Sequence, residues 1–338
     1  MRIGLTYDLR SEYLAMGYSE DDTAEFDREE TIEGLESALG RLGHDTERIG
    51  HVKGLAARLV QGHRWDLVFN IAEGLHGIGR EAQVPALLDA YGIPYPFSDP
   101  LVMSLTLHKG MTKRVVRDAG VPTCDFAVVE NPEEAAAVPF GAPYFVKPVA
   151  EGTGKGVSAR SIVKRRADLA PACRRLGEAY RQPVLVERFL PGREFTVGVL
   201  GTGPEARVLG TMEVHLLASA EQGVYSYQNK ENSEQHVRYR LLRPEEDALI
   251  GAVEKIALDA WRVLGCRDGG RLDLRCDRNG KPQFMEVNPL AGLHPEHSDL
   301  PIICSLAGVS FDRLIEGIVA SAARRMAPPS EARTGSCA

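Results

Sequence analysis

The chain has 338 residues, of which 43% are hydrophobic and 26% are charged, and its formal net charge is -7. This length allows two or three domains, and the composition is ordinary for a globular protein. The acidic balance argues against a nucleic acid or a membrane surface as partner. The sequence contains no run of 18 apolar residues, the length that would predict a membrane-spanning helix. The six cysteines lie far apart without a CxxC pair, which predicts reduced thiols and a cytoplasmic location.

Strand and helix patterns alternate over residues 1–98. Residues 2–7 predict a strand and not a signal peptide, because they lack a long apolar run. A helix is predicted from about Asp27 to Leu42, a strand over Asp66–Asn70, and a helix near Glu81–Ala90. This alternation predicts an α/β domain in which a Rossmann-like parallel sheet carries helices on both faces.

Two α+β sections follow, at 99–190 and at 191–326. The predicted elements of the first section are a basic helix ending at Asp118, the strands Asp125–Val129 and Tyr144–Lys147 around a short helix, a glycine-rich loop at 151–156, a helix over 167–180 and the strand Val184–Glu187. Those of the second are the strands Phe195–Leu200 and Arg207–Val214, a helix over 244–264, a hairpin and a last helix from Phe311 to Arg325. Residues 216–240 are polar without a clean period, which is typical of a functional or mobile connection. The tail, 327–338, is predicted to be disordered.

The hairpin at 271–288 organises the predicted site. Asn279-Gly280 supplies the positive φ values of a two-residue turn. If these two residues form the turn, the numbers of any two residues that face each other across the hairpin add up to 559. Asp273 then lies opposite Glu286, and Arg271 opposite Asn288. Because side chains alternate, one face should hold Arg271, Asp273, Arg275, Phe284, Glu286 and Asn288, and the core face Leu272, Leu274, Met285 and Val287.

Two opposed carboxylates, with Cβ atoms about 5 Å apart, destabilise a sheet unless positive charge lies between them. With the amide oxygen of Asn288, Asp273 and Glu286 form an all-oxygen set suited to Mg²⁺. The alternative is a solvated hairpin face on which Arg271 and Arg275 neutralise the two acids.

Phosphate binding is a second candidate function of the chain. The glycine-rich loop follows Lys147, and glycines let backbone N–H groups approach a phosphate while a lysine adds charge. The spacing fits neither a Walker A motif nor a Rossmann fingerprint, so a plain flexible turn stays open. Further on, Glu187 and the Phe189-Leu190 backbone could recognise an adenine base, and Glu194 the ribose. The alternative there is a strand edge with ordinary surface charges.

Five segments in order resemble the ATP-grasp superfamily and, within it, the D-alanine–D-alanine ligase family. They are Lys109, KPVAEGTGKGV (147–157), VERFLPGREFTVGVLG (186–201), GCRDGGRLDLRCDRNGKPQFMEVNP (265–289) and AGLHPEHSDLP (291–301). The resemblance extends from Phe69 to about Phe311. It implies an N-terminal domain followed by two ATP-grasp subdomains that hold ATP between them, and usually a homodimer.

The resemblance implies a role for each residue that matches a family motif. The implied ATP contacts are Lys109, Lys147, Glu151 and Thr153 near the phosphates, Glu187, Phe189 and Leu190 at the adenine, and Glu194 at the ribose. Asp273, Glu286 and Asn288 would hold two Mg²⁺ ions, which Mn²⁺ could replace. The implied catalytic residues are Arg271 and Lys230, and the implied contacts of the amino-acid substrates are Gly292, His297 and Ser298. A zinc site at His294 and His297 is disfavoured because Pro295 prevents an ordinary helical ligand pair.

The half of the site that binds the first substrate departs from the family pattern. The ligases carry a glycine-serine element and a glutamate that grips an ammonium, where this chain has residues 7–12 (YDLRSE). Different residues also occupy 70–74 (NIAEG) and 79–82 (GREA). The sequence therefore predicts the reaction type more firmly than the substrate.

The predicted function is an ATP-dependent carboxylate–amine ligase that joins two amino acids through an acylphosphate intermediate. One alternative is a ligase for another amino acid or amino-acid-like carboxylate of a specialised pathway. An alternative of another class is a non-catalytic ATP-binding regulatory module, against which the retention of Lys109, Lys147, Arg271 and the predicted metal ligands argues. No nucleic acid and no membrane is expected as a partner.

Overall fold

The computed structural model describes residues 1–217, 219 and 236–326. The strands of this part are β1 (Arg2–Thr6), β2 (Asp45–Gly50), β3 (Leu67–Asn70), β4 (Phe126–Val129), β5 (Tyr144–Pro148), β6 (Ile162–Val163), β7 (Val184–Arg188), β8 (Glu194–Leu200), β9 (Arg207–Leu216), β10 (Val237–Leu242), β11 (Gly269–Cys276) and β12 (Pro282–Asn288). Its α-helices are α1 (Arg10–Ala15), α2 (Glu29–Arg41), α3 (Val52–Val60), α4 (Gln83–Ala90), α5 (Pro100–Leu107), α6 (Lys109–Asp118), α7 (Leu169–Tyr180), α8 (Ala248–Leu264), α9 (Asp299–Leu306) and α10 (Phe311–Ala323).

The strands form three sheets that follow one another along the chain. The first is parallel, in the order β2-β1-β3; the second, β4-β7-β5-β6, and the third, β10-β9-β8-β11-β12, are antiparallel. This mixed α/β architecture, with a parallel sheet ahead of two α+β sections, confirms the predicted fold class. The predicted boundaries at 98 and 190 fall between successive sheets and stay predictions.

Several elements of the structure were not predicted from the sequence. Strand β2 reads DTERIG, and only Ile49 of its six residues is buried, so it lacks the alternation of a half-buried strand. The short helices α1, α3 and α9 were also missed, as was β10 at the end of the polar segment. Helix α5 begins with Pro100, and the Asp99 side chain accepts a hydrogen bond from Val102 N–H, which is an N-terminal signal that the sequence analysis overlooked.

The C-terminal helix completes the core of the N-terminal sheet. Leu314, Ile315 and Ile318 of α10 are fully buried in the same hydrophobic cluster as Ile32 and Leu35 of α2. At the rim, the Arg41 guanidinium donates to both carboxylate oxygens of Asp312, at 2.7 and 2.6 Å. The first and last parts of the chain thus share one core.

Helix α8 fixes the position of the hairpin β11–β12. Its N-cap residue is Asp247, whose side chain accepts from Leu249 N–H, and its C-cap residue is Gly265, whose φ is 74°. Its Trp261 is fully buried and donates through Nε1 to the Gly201 carbonyl at 3.1 Å. A Cβ at Gly270 would lie 2.7 Å from the Trp261 ring and 2.6 Å from the Asn288 carbonyl oxygen, so only glycine fits between helix and hairpin.

The hairpin has the predicted pairs nearest the site but not the predicted turn. Arg271 pairs with Asn288 and Asp273 with Glu286, whereas beyond Asp273 the register shifts by one residue. The connection is longer than two residues, because Asp277 N–H donates to Lys281 O at 2.9 Å and Gly280, with a φ of 77°, follows a turn begun at Asp277. The prediction of a two-residue turn was wrong.

A β-bulge at Met285 compensates for the longer turn. Leu274 pairs with Phe284, so Met285 is the extra residue, and the offset of the loop is cancelled before Glu286. The bulge also exchanges faces: Phe284 is fully buried in the core with Leu272, Leu274 and Val287, while Met285 lines a cavity beside Glu286. The predicted faces of Phe284 and Met285 were therefore wrong.

No helix in the described ranges is both long enough and apolar enough to cross a membrane. The five cysteines of these ranges, at 124, 173, 266, 276 and 304, are buried and unpaired.

Candidate active site

Two cavities meet where the second and third sheets face each other. The first cavity measures about 70 Å³, and its walls include Lys147 of β5, Glu187 of β7, Glu194 of β8 and Asp273 of β11. The second measures about 470 Å³, and its walls include Thr153, Arg271, Asn288 and Ser298. Lys109 and Glu286 line both cavities and therefore mark their junction.

The first cavity collects the residues that the sequence associates with ATP. They are Lys109, Lys147, Glu151, Glu187, Phe189, Leu190 and Glu194, together with Asp273 and Glu286 of the hairpin. Arg275 lies over the Phe189 ring, 5.5 Å from its centroid, and forms an ion pair with Glu194 at 3.3 Å. The walls of this cavity therefore combine an aromatic ring and a carboxylate with the lysines Lys109, Lys147 and Lys155.

Ion pairs connect residues in the walls of the first cavity with each other and with Lys113 behind them. Lys147 Nζ lies 2.8 Å from Glu286 Oε2 and 3.5 Å from Glu187 Oε2, and Glu187 Oε1 lies 2.7 Å from Lys113 Nζ. Because typical ligand pockets measure about 300–1,000 Å³, a ligand of nucleotide size would have to separate Lys147 from Glu286. Lys147 would then pair with a phosphate instead of the Glu286 carboxylate, so it would keep an anionic partner.

The pKa values follow from this pairing. Burial raises the pKa of Glu187, but Lys113 and Lys147 outweigh it and hold that pKa below its usual range. Burial lowers the pKa of Lys147, and here Glu187 and Glu286 outweigh it and raise that pKa. For Lys109 burial prevails and lowers the pKa, although Glu286 opposes it. Glu187 is thus an anion, and Lys147 a cation, at neutral pH.

Lys113 was missed as a member of this site. It is fully buried, and its Nζ donates to Thr123 Oγ1 at 2.7 Å and to the Phe284 carbonyl at 3.2 Å. The helix is recognisably basic in the sequence, and Lys113 follows Lys109 by four residues, one turn along the same face. That spacing was a usable signal.

The glycine-rich loop borders both cavities. Lys109 Nζ donates to the Glu151 carbonyl at 2.5 Å, and the Glu151 carboxylate lies 2.6 Å from Lys155 Nζ. Thr153 has a φ of 51°, in the left-handed region, and lines the second cavity. The Gly152 N–H donates to Glu25 at 2.5 Å, so the loop is tied to the N-terminal part of the chain.

Asp273, Glu286 and Asn288 have the chemistry of a site for a hard cation. Asp273 and Glu286 are direct cross-strand neighbours, and Asn288 is two residues beyond Glu286 on the same strand face. The Asn288 side-chain nitrogen is buried without a hydrogen-bond partner. A rotation of the amide by 180° exchanges this nitrogen with the side-chain oxygen, which then faces Asp273 and Glu286 as a third oxygen donor. These oxygen donors fit Mg²⁺. No group of three or more His, Cys, Asp or Glu placed for a metal occurs at 1–217, 219 or 236–326, so the set depends on the amide.

Arg271 lies between the hairpin and helix α9. Its Nη1 forms an ion pair with Asp273, and its Nε lies 3.5 Å from Asp299. Burial lowers the pKa of Arg271, but Asp273 and Asp299 outweigh that effect and raise it, so the side chain stays a cation. In this conformation Arg271 is a counter-ion for the two acids, and it also borders the second cavity.

The start of helix α9 forms one wall of the second cavity. Ser298 is its N-cap residue, and Ser298 Oγ accepts from His294 N–H at 3.0 Å. A Cβ at Gly292 would lie 2.8 Å from that hydroxyl, which keeps position 292 open to the cavity. His297 is exposed, and its ring lies 4.5 Å from that of His294.

The opposite wall of the second cavity is acidic. It includes Glu25, Asp27, Glu73 and Glu81, of which Glu25 forms an ion pair with Arg80 at 2.8 Å. Burial raises the pKa of Asp27 to about 7 and that of Glu81 to about 7, and it raises that of Glu73 well above its usual range with help from Glu81 and Glu25. In the sequence, segments 70–74 and 79–82 stand out only as departures from a family pattern. Lys230 lies outside the described residues.

Comparison with known proteins places this geometry in a family. Residues 115–320 match the family described as D-ala D-ala ligase C-terminus. A D-alanine–D-alanine ligase of Bordetella petrii is 33% identical over 259 residues, which cover 76% of this chain and 76% of the relative. The chain belongs to the D-alanine–D-alanine ligase family. An uncharacterised protein of Sinorhizobium fredii is also 33% identical, over 296 residues that cover 86% of each chain.

A solved structure has the same fold. The D-alanine–D-alanine ligase from Bacillus anthracis, complexed with ATP, superposes with a TM-score of 0.72 over 96% of this chain and 98% of the other, at 22% identity. Family membership confirms the predicted reaction class, an ATP-dependent ligase that forms a C–N bond. The roles of the individual residues stay predictions.

Proposed function

We propose that this ligase joins two amino acids by activating the carboxylate of the first with ATP. The observation that carries the proposal is the junction of the two cavities at Lys109 and Glu286. A γ-phosphate at that junction would face a carboxylate in the second cavity while its nucleotide occupies the first. The carboxylate oxygen attacks the γ-phosphorus, ADP leaves, and an acylphosphate forms.

The second step uses the far side of the second cavity. The amine of the second amino acid attacks the acylphosphate carbonyl, and a tetrahedral intermediate forms that expels phosphate. Arg271 is proposed to stabilise the negative charge of this step, since a buried permanent cation acts strongly on charge that develops nearby. Gly292, Ser298 and His297 are proposed to contact the second amino acid at the start of α9, where N–H groups favour a carboxylate.

The nucleotide is proposed to lie in the first cavity. Lys109 and Lys147 would contact its phosphates with the Glu151 and Thr153 loop beside them, Glu187, Phe189 and Leu190 would hold the adenine, and Glu194 the ribose. Glu187 is already held by Lys113 and Lys147. Because each carboxylate oxygen can accept more than one hydrogen bond, Glu187 is proposed to accept one from the adenine in addition to those from the lysines.

Asp273, Glu286 and Asn288 are proposed to hold two Mg²⁺ ions, which Mn²⁺ could replace. When bound, such ions neutralise phosphate charge during transfer. The chain's own part is to orient three oxygen donors and to keep Lys147 and Arg271 beside them. We also propose a cytoplasmic homodimer, which sedimentation velocity and cell fractionation would test.

The experiment for the proposed function measures ADP and phosphate release from ATP over a panel of paired amino acids, beginning with D-alanine, with mass spectrometry of the product. Release that requires two amino acids and yields a condensed product supports the ligase. Tight ATP binding without release on any pair would indicate the non-catalytic module instead.

Arg271→Ala tests the proposed catalytic role separately. Removing one electrostatic contact to a transition state lowers kcat by roughly 10²–10³-fold, while ATP binding should change little. Exposed Arg165 forms an ion pair with Asp168, and Arg165→Ala is the control for the loss of a guanidinium. Unchanged turnover in Arg271→Ala would leave this side chain as a counter-ion only.

A further inference from the structure

The acidic wall of the second cavity holds more carboxyl groups than neighbouring cations pair with. Of its four carboxylates, Glu25 is paired with Arg80. Among the residues that the structure describes, Asp27, Glu73 and Glu81 form no ion pair, and only Asp27 has a hydrogen bond, to Thr31. Three carboxyl groups therefore face one space without an ion pair, although Arg80 acts electrostatically on Glu73 and Glu81 from its pair with Glu25.

The nearest cations are already engaged. Arg80 is buried and donates to Glu25 at 2.8 Å and to the Ala150 carbonyl at 2.9 Å. Lys109 Nζ donates to the Glu151 carbonyl. Arg10 and Arg28 also line the cavity, and Arg10 reaches Glu20 at 3.8 Å. A cationic ligand would offset the burial that raises the pKa values of Asp27, Glu73 and Glu81.

A second observation points to a ligand in the same space. Buried side-chain polar atoms without a hydrogen-bond partner are rare in folded proteins, and each calls for an explanation. In the described ranges two such atoms, Arg10 Nε and Asn288 Nδ2, belong to residues that line the second cavity; a third, on Glu151, is ion-paired with Lys155 at 2.6 Å. The space of about 470 Å³ is also within the range of pockets for small molecules.

We propose that the amino acid activated in the second cavity carries a cationic side chain, an amine or a guanidinium, in addition to its α-ammonium. One α-ammonium accounts for one carboxylate, and the side-chain cation would lie between the others. Its carboxylate would extend to the junction at Lys109 and Glu286. This inference rests on the proposed function, because it names the substrate class of the same site.

The test compares amino acids that differ only in the cation. Isothermal titration with lysine against norleucine, and with ornithine against norvaline, in both chiral forms and with a non-hydrolysable ATP analogue, isolates the side-chain charge. Charge-assisted contacts should make the cationic member bind at least about tenfold more tightly. Equal affinities, or no binding of any cationic member, would overturn the inference.

The double substitution Glu73→Gln with Glu81→Gln assigns the preference to this wall. It should reduce the ratio of affinities to less than about threefold, because each neutral amide loses the charge-assisted contact. Exposed Glu178 lies on helix α7, and Glu178→Gln is the matched control that should keep the full ratio. A full ratio in the double variant refutes the assignment; if that variant does not fold, Asp27→Asn replaces it and must lower the ratio.

Activity separates this inference from the proposed function. ADP release with neutral amino acids that equals or exceeds release with cationic ones keeps the ligase and overturns the cationic substrate. No ADP release with any pair overturns the proposed function, while the titration still decides whether the wall prefers a cation.

Discussion

Lys113 is the buried cation on which the charge balance of the first cavity depends. It pairs with Glu187 at 2.7 Å and is fully buried. The substitution Lys113→Met keeps most of the volume of the side chain but leaves Lys147, at 3.5 Å, as the ion-pair partner of Glu187, beside the Cys124 thiol at 3.8 Å. Thr123 Oγ1 still donates to the Phe284 carbonyl at 2.8 Å, so that acceptor stays satisfied.

The loss of stability in Lys113→Met depends on the buried Glu187 carboxylate that remains. Breaking a buried ion pair by removing one partner costs roughly 3–5 kcal/mol, because a charge is left uncompensated. We therefore expect Lys113→Met to lower the free energy of unfolding by about that amount at pH 7.5. Adding Glu187→Gln removes the stranded charge, so the double variant should recover at least about 1 kcal/mol.

The pH dependence has a definite sign. In the wild type the lysines lower the pKa of Glu187 against burial, so its contribution to stability is present above its unfolded pKa and is lost as the pH falls. Without Lys113 the pKa of Glu187 rises, and the ionised carboxylate becomes a cost at neutral pH. The difference in stability between wild type and Lys113→Met should therefore shrink as the pH falls from 7.5 to 4.5.

Urea unfolding of the wild type, both single variants and the double variant at these two pH values measures the free energy of unfolding of each protein and the coupling between positions 113 and 187. A loss below about 1 kcal/mol for Lys113→Met at pH 7.5, or a double variant as unstable as the sum of the singles, would refute the reasoning, since neither agrees with a buried and coupled pair.

Two further substitutions test other parts of the account. Burial raises the pKa of Asp27 to about 7, so the folded state binds a proton that the unfolded state releases, and stability falls as the pH rises from about 4 to 7. Asp27→Asn should therefore raise stability more at pH 8 than at pH 5, by roughly 1–3 kcal/mol in thermal unfolding, and an equal gain at both pH values would contradict this. Gly270→Ala would press a methyl group against Trp261 and the Asn288 carbonyl, and should cost roughly 1–3 kcal/mol and weaken ATP binding by displacing the hairpin. Gly251→Ala, on helix α8 with nothing within 4 Å of the added Cβ, is the control and should stabilise by about 0.5–1 kcal/mol; similar losses in both would show that the hairpin contact is irrelevant.

The hairpin shows how far the sequence could predict this site. A two-residue turn at Asn279-Gly280 predicts Asp273 opposite Glu286, and this pair is correct although the turn is longer. The longer turn shifts the pairing by one residue, and the bulge at Met285 reverses that shift. Such a bulge leaves no signal in a pattern of alternation: Phe284 and Met285 are both apolar, and either could face the core. Only packing against α8 decides between them.

The charges of the site were less predictable than its motifs. Lys147, Glu187 and Glu286 could be selected from their motifs. The fourth member of their network, Lys113, belongs to no such motif and is marked in the sequence only by its spacing of four residues from Lys109. The acidic wall draws on segments around residues 25, 73 and 81, which no local pattern connects. Long-range proximity of this kind depends on how the parallel sheet and the glycine-rich loop pack together.

The most direct test of the central claim counts divalent ions at the hairpin. Electron paramagnetic resonance of free Mn²⁺, with protein and a non-hydrolysable ATP analogue, measures how many ions each chain binds. We expect two ions per chain for the wild type, and the loss of at least one in Asp273→Asn combined with Glu286→Gln, with the fold retained. Equal Mn²⁺ binding by both proteins would contradict the claim that these opposed carboxylates hold the metal ions of ATP.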